Sequence, residues 1–134
     1  MKRAAVVCVL AVLVAACGGG SSTHTIKGTV TLSGYGNIFT SDNVRCTGES
    51  DSGYDDISAN APVTVLDGKG TIVGTSQLIG DGYYRHSECV FSFTVDDVKD
   101  ADFYTVKVSH RDGPAYSAKE MDRQHWKVAL TIGS

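Results

Sequence analysis

The sequence has few of the marks that announce chemistry. It has no Cys-x-x-Cys, no zinc-ligand spacing, no Gly-x-Ser-x-Gly elbow and no His-Glu-x-x-His helix, so no motif nominates a redox, metal or nucleophilic centre. Beyond the first twenty residues no window of ten or more has a helical period, which argues against a helical bundle or an alternating α/β fold. No cluster of basic residues is present, and the formal charge is −3, so simple charge attraction to nucleic acid is not expected. The one long apolar run, Ala4 to Ala16, would span about 20 Å as a helix, short of the roughly 30 Å hydrocarbon core.

That run follows Lys2 and Arg3, the layout of a secretory signal. Val14-Ala15-Ala16-Cys17 at its end resembles the lipobox of bacterial lipoproteins: an aliphatic residue, two small ones and a cysteine. The resemblance implies removal of residues 1 to 16, diacylglyceryl transfer to the Cys17 sulfur, and anchoring to the cell membrane on its extracytoplasmic side. An ordinary cleaved signal that happens to end in cysteine is the alternative. After cleavage 118 residues remain, with a net charge of about −5. Residues 17 to 23 read as the lipidated cysteine and a Gly/Ser tether of about 13 Å root-mean-square length. Residues 24 to 134 read as one domain, large enough to bury about two thirds of its unfolded surface.

Four cysteines are present in all. Cys8 leaves with the signal and Cys17 is consumed by lipid, so Cys46 and Cys89 remain in an oxidising space and are expected to pair. Closing a ring of about 44 residues is worth roughly 4 kcal/mol in the chain-entropy model.

The mature chain alternates with period two nearly throughout, the mark of half-buried strands. Ile26, Gly28, Val30 and Leu32 share one face. Ala61 to Leu66, the turn Asp67 to Gly70 and Thr71 to Leu78 read as a hairpin. Cys89, Phe91, Phe93 and Val95 define the clearest core strand; Phe103 to His110 and Trp126 to Ile132 follow. Arg111 to Pro114 reads as a turn, and Tyr116 and Met121 as part of a short irregular edge. About seven strands separated by Gly and Asp turns predict an all-β fold, a single antiparallel β-sandwich.

Ala61-Pro62-Val63-Thr64-Val65, Asp67-x-x-Gly70 and Val73-Gly74-Thr75 resemble the opening hairpin of carboxypeptidase-regulatory and transthyretin-like sandwiches. Phe91-x-Phe93-x-Val95-x-x-Val98 and Tyr104-x-Val106-x-Val108 are similar to the later strands of that family. The resemblance implies a transthyretin-like or immunoglobulin-like domain over residues 24 to 133, and fold alone implies little about function. Some members form Lys-Asn isopeptide bonds; the last strand here offers Lys27 no such partner. Lipobox, cysteine pair and Gly53-Tyr54-Asp55-Asp56-Ile57 together also resemble small lipoproteins of high-GC Gram-positive bacteria.

Ser33 to Asn60 is the departure from a compact sandwich, nearly thirty residues without a clear strand. Long loops in compact domains are commonly functional. Tyr35, Phe39 and Tyr54 lie in it among Gly, Ser and Asp, with Cys46 pinning its middle, so it reads either as a recognition surface or as an irregular edge strand whose aromatics cover the sheet. Asp51, Asp55 and Asp56 could offer oxygens to calcium but lack EF-hand spacing. Asp96, Asp97, Asp100 and Asp102 read as a polar connection, and His24, His86, His110 and His125 as solvated edge residues. Trp126 reads as core.

These features predict a non-catalytic binding or accessory module with no cofactor or metal. Its expected partner is an envelope protein or cell-wall component, met through the 33 to 60 loop or an exposed sheet edge. The alternatives are an envelope enzyme with a dispersed site, marked by a histidine within hydrogen-bond reach of Ser and Asp, and a calcium-stabilised spacer.

Overall fold

A computed structural model describes residues Ser22 to Gly133. The signal segment 1–16 and Cys17, with the glycines that follow it, lie outside the described residues.

Ten strands, one 3-10 turn and one short helix follow in order: β1 (Thr23–Leu32), β2 (Ile38–Phe39), β3 (Arg45–Gly48), the turn Ser50–Ser52, β4 (Pro62–Leu66), β5 (Ile72–Gln77), β6 (Gly82–Arg85), β7 (Glu88–Lys99), β8 (Phe103–Val108), β9 (Arg111–Ser117), α1 (Ala118–Arg123) and β10 (Lys127–Ile132). They form two sheets, β10-β1-β7-β6-β3-β2 and β5-β4-β8-β9. The chain is all-β, and its two sheets pack as a sandwich. Three expectations are corrected. The strands number ten rather than seven, because β2, β3, β6 and β9 are too short or too polar to show an alternation. The sandwich is not wholly antiparallel: β10 runs parallel to β1, since α1 carries the chain across from the second sheet before β10 begins. The turn read at Arg111 to Pro114 is itself strand β9; the chain reverses two residues earlier, at Ser109-His110, with Ser109 at φ 55°.

The period-two positions are the core. Ile26, Val30 and Leu32 of β1, Cys89, Phe91, Phe93 and Val95 of β7, Val63 and Val65 of β4, and Tyr104, Val106 and Val108 of β8 are buried between the sheets. Gly28 interrupts the β1 series where Phe93 lies across it; a Cβ there would be 2.4 Å from the Phe93 ring. On β7 the two exposed residues Asp96 and Asp97 form a bulge, with Asp97 at φ 55°, and the extra residue returns Val98 to the core. Met121, read as part of an edge, is instead fully buried on α1. Ser117 and Glu120 cap that helix reciprocally: the Glu120 amide donates to Ser117 Oγ (3.1 Å) and the Ser117 amide to Glu120 Oε2 (2.7 Å). Trp126 precedes β10, half-buried at φ 58°, with His24 stacked on it (centroids 3.6 Å apart, planes 7° from parallel) and Tyr104 edge-on at 5.2 Å.

Cys46 and Cys89 form the expected disulfide, with Cα atoms 5.8 Å apart. It joins β3 to β7 past the intervening β6, and Gly82 of β6 makes this possible: a Cβ at Gly82 would be 2.4 Å from Cys89 Sγ.

Candidate functional site

The 33 to 60 segment is a built structure. Strands β2 and β3 pair as a hairpin at the edge of the larger sheet, through Ile38 with Gly48 and Phe39 with Thr47. The edge-strand reading of this segment is therefore met in part. Between the two strands, Asp42 makes the turn: its Oδ1 accepts from the Val44 amide (2.9 Å) and the Arg45 amide (2.7 Å), and Arg45 Nε reaches its Oδ2 at 3.2 Å. The Arg45 and Val44 amides hold the exposed Asp42 carboxyl down to about 2, although it has lost some water. Thr40 Oγ1 donates to the Arg45 carbonyl and accepts from the Asn43 amide, closing the same turn. At the base of the preceding loop, Asn37 Nδ2 donates to the Ser33 carbonyl (2.8 Å), and the Glu49 amide donates to the Asn37 carbonyl.

The second half of the segment is held by a cation. Arg111 at the start of β9 donates to Asp56 through Nε (3.3 Å to Oδ2) and Nη2 (3.0 Å to Oδ1), and Nη2 also donates to the Gly53 carbonyl at 2.8 Å. Its guanidinium lies 4.6 Å from the centroid of the Tyr54 ring. Partial burial pushes the Asp56 carboxyl up, but hydrogen bonds from Arg111 and Ser109 and the charges of Arg111 and His110 leave it below the usual range. Ile57, fully buried, fixes the end of the loop in the core.

Of the three aromatic residues expected to form a recognition surface, Tyr35 and Phe39 offer their rings to solvent, at 108 % and 52 % exposure. Val44 in the same segment is also exposed, at 52 %, a residue that its polar neighbours Asp42 and Asn43 disguised. Tyr54 does not join them. It packs against the core and its ring is covered by Arg111, so its role here is to hold the loop. A groove of about 230 Å³ lies beside Phe39, lined also by Thr40, Ser41, Arg45, Cys46 and Asp81.

One His, Ser and Asp grouping meets the distance condition set for a dispersed enzyme site. His110 Nδ1 lies 3.2 Å from Asp56 Oδ2 and 3.4 Å from Ser109 Oγ. Both partners address the same ring nitrogen. A relay needs the acid on one nitrogen and the nucleophile on the other, and both oxygens of Asp56 already face Arg111. This geometry ties a turn together rather than activating a hydroxyl. His24 meets Asp100, which also accepts from Ser22, at the point where the chain enters β1. Among the described residues no three His, Cys, Asp or Glu side chains come together as a cation cage, so Asp51, Asp55 and Asp56 are not assembled for calcium. No helix of the described residues is long and apolar enough to cross a membrane.

No family model, no curated protein and no solved structure matches this chain.

Proposed function

We propose that the chain is a membrane-anchored extracytoplasmic lipoprotein, held by lipid on Cys17, whose sandwich is a non-catalytic module that binds an envelope component through the 33 to 44 face. The carrying observation is that Tyr35, Phe39 and Val44 are exposed on a segment whose backbone is fixed at its start by the bonds of Ser33 to Ile132 and Asn37 and just past its end by the Cys46–Cys89 bond. Apolar side chains held on a fixed backbone lose little entropy on binding, which is the physical advantage of such a surface. Anchoring rests on the charged start, the apolar run and the lipobox-like residues that end at Cys17. A transthyretin-like or immunoglobulin-like type for the sandwich is part of the same proposal, supported by the β4 and β5 hairpin at the position of the family-like motif.

The experiment is mild crosslinking in native membranes followed by capture of the protein, with Cys17→Ser and the double variant Tyr35→Ala/Phe39→Ala alongside. Wild type should be membrane-bound and bring down a reproducible envelope component. Cys17→Ser should leave the membrane, and the loop variant should stay bound but lose the component. Membrane retention of Cys17→Ser would overturn the anchor; an unchanged capture by the loop variant would overturn the recognition surface.

A further inference from the structure

The outward face of the larger sheet carries a second surface, independent of the loop. Residues on β10, β1, β7 and β6 that alternate with the buried ones point away from the core and line up in rows through the strand register. One row is Lys127, Lys27 and Thr94; the next is Ala129, Thr29 and Ser92; the third is Thr131, Thr31, Val90 and Tyr83.

Two features of these rows lack a folding rationale. Lys27 and Lys127 are direct register partners on adjacent parallel strands, both exposed, and neither ion-pairs with an acid among the described residues. Like charges side by side on a sheet oppose its pairing. The pair also concentrates positive charge on one face of a domain that is acidic as a whole. The second feature is the hydroxyl content. Thr25 at the end of the face bonds Asp96 (3.1 Å), whereas Thr29, Thr31, Ser92, Thr94 and Thr131 make no side-chain hydrogen bond among the described residues.

The face is also shaped. A groove of about 410 Å³ runs over β10, β1 and β7, lined by the apolar Ile79, Phe93 and Val128 as well as by Lys27, Thr94 and Lys127, and Ile79 at its side is 61 % exposed. A second groove of about 330 Å³ shares Ser92 and continues to Tyr83 and Val90, where Arg85 and His86 stand beside the one acid of its lining, Glu88. Tyr83 is 57 % exposed. Four strands at about 4.8 Å spacing make this a trough of about 14 Å crossing the sheet.

We propose that this trough binds a segment of anionic polysaccharide. The two ammonium groups take a carboxylate or phosphate, and the free threonine and serine hydroxyls both donate to and accept from sugar hydroxyls. Tyr83 and Ile79 offer flat apolar surface to the C–H faces of the rings. The trough is open and lined mostly by apolar surface, with the ammonium and hydroxyl groups set along it, an arrangement that matches sugar rings, which carry apolar C–H faces and polar edges. An anionic bilayer would meet the same lysines, so anionic vesicles are the competing surface that the experiment must separate from the polymer.

The test uses the full chain reconstituted in neutral phosphatidylcholine vesicles, with labelled polygalacturonate as probe, neutral dextran as control and phosphatidylglycerol vesicles as the competing surface. Wild type should bind polygalacturonate with an affinity that falls as salt rises, and dextran much more weakly. Lys27→Gln/Lys127→Gln should weaken polygalacturonate binding about tenfold, while its melting temperature equals or exceeds that of wild type because a like-charge contact is gone. The loop variant Tyr35→Ala/Phe39→Ala should bind the polymer like wild type, which separates this surface from the one above. Polygalacturonate binding that survives in a folded lysine variant would overturn the proposal. So would binding lost only in the loop variant, or capture of phosphatidylglycerol vesicles without capture of the polymer.

Discussion

Arg111 places its guanidinium over the Tyr54 ring and two of its nitrogens on Asp56, joining the first residue of β9 to a loop more than fifty positions earlier. Both ends of this contact are mostly out of solvent, with 27 % of the Arg111 side chain and 17 % of the Asp56 side chain exposed. Arg111→Ala should therefore cost about 1 to 2 kcal/mol, the range of a charged hydrogen bond with some solvent access. Thermal unfolding should show a drop of several degrees. Arg111→Lys should recover only part of it, because an ammonium cannot span both carboxylate oxygens and the ring.

The same contact sets a pH dependence. The Asp56 carboxyl is lowered in the fold, so its contribution is present above the unfolded carboxylate value near 4 and fades as pH falls through the folded value. Urea unfolding of wild type and Asp56→Asn should differ by a constant amount from pH 7 down to about 5, and the two should converge towards pH 3. A difference unchanged at pH 3 would mean that the carboxylate charge is not what stabilises the loop. The Asp42 turn, held down to about 2, should outlast it in acid.

Gly82 and the Cys46–Cys89 bond should behave as one unit. Gly82→Ala would place a Cβ 2.4 Å from Cys89 Sγ and 2.9 Å from the Phe91 ring, an overpacking of about 1 to 3 kcal/mol. Cys46→Ala should lower stability by up to about 4 kcal/mol through loss of the ring closure. In a Cys46→Ala/Cys89→Ala background the bond and the crowding sulfur are both gone, so Gly82→Ala should cost clearly less than in wild type. Equal costs in the two backgrounds would show that Phe91, not the disulfide, requires the glycine.

The exposed and buried apolar residues of the 33 to 60 segment should separate cleanly. Tyr35→Ala/Phe39→Ala should change unfolding free energy by no more than about 0.5 kcal/mol per substitution, as is usual for surface sites. Ile57→Ala removes a side chain with no exposure at the end of the same segment and should cost about 2 to 5 kcal/mol. Denaturant titration measures both.

Long-period regularities were legible from the residues alone. The alternation through Ile26 to Leu32, Cys89 to Val95 and Tyr104 to Val108 determined an all-β chain with those side chains inside, because a strand buried on one face must repeat every second residue. The cysteine count made Cys46–Cys89 the expected pair, and the fold brings the two together. Strands β2, β3, β6 and β9 escaped because strands of two to four residues, or one holding Arg111, Asp112, Gly113 and Pro114, have no period to read; their place comes from pairing with a neighbour. Helix α1, six residues long, is too short for a helical period, and its readable signal is the capping pair Ser117 and Glu120. Tertiary structure alone decided that β10 lies parallel to β1, that Arg111 claims Tyr54 and Asp56, and that Lys27 and Lys127 stand side by side. Those partners are 55 to 100 positions apart, and local composition carries no information about which distant backbone will be brought alongside.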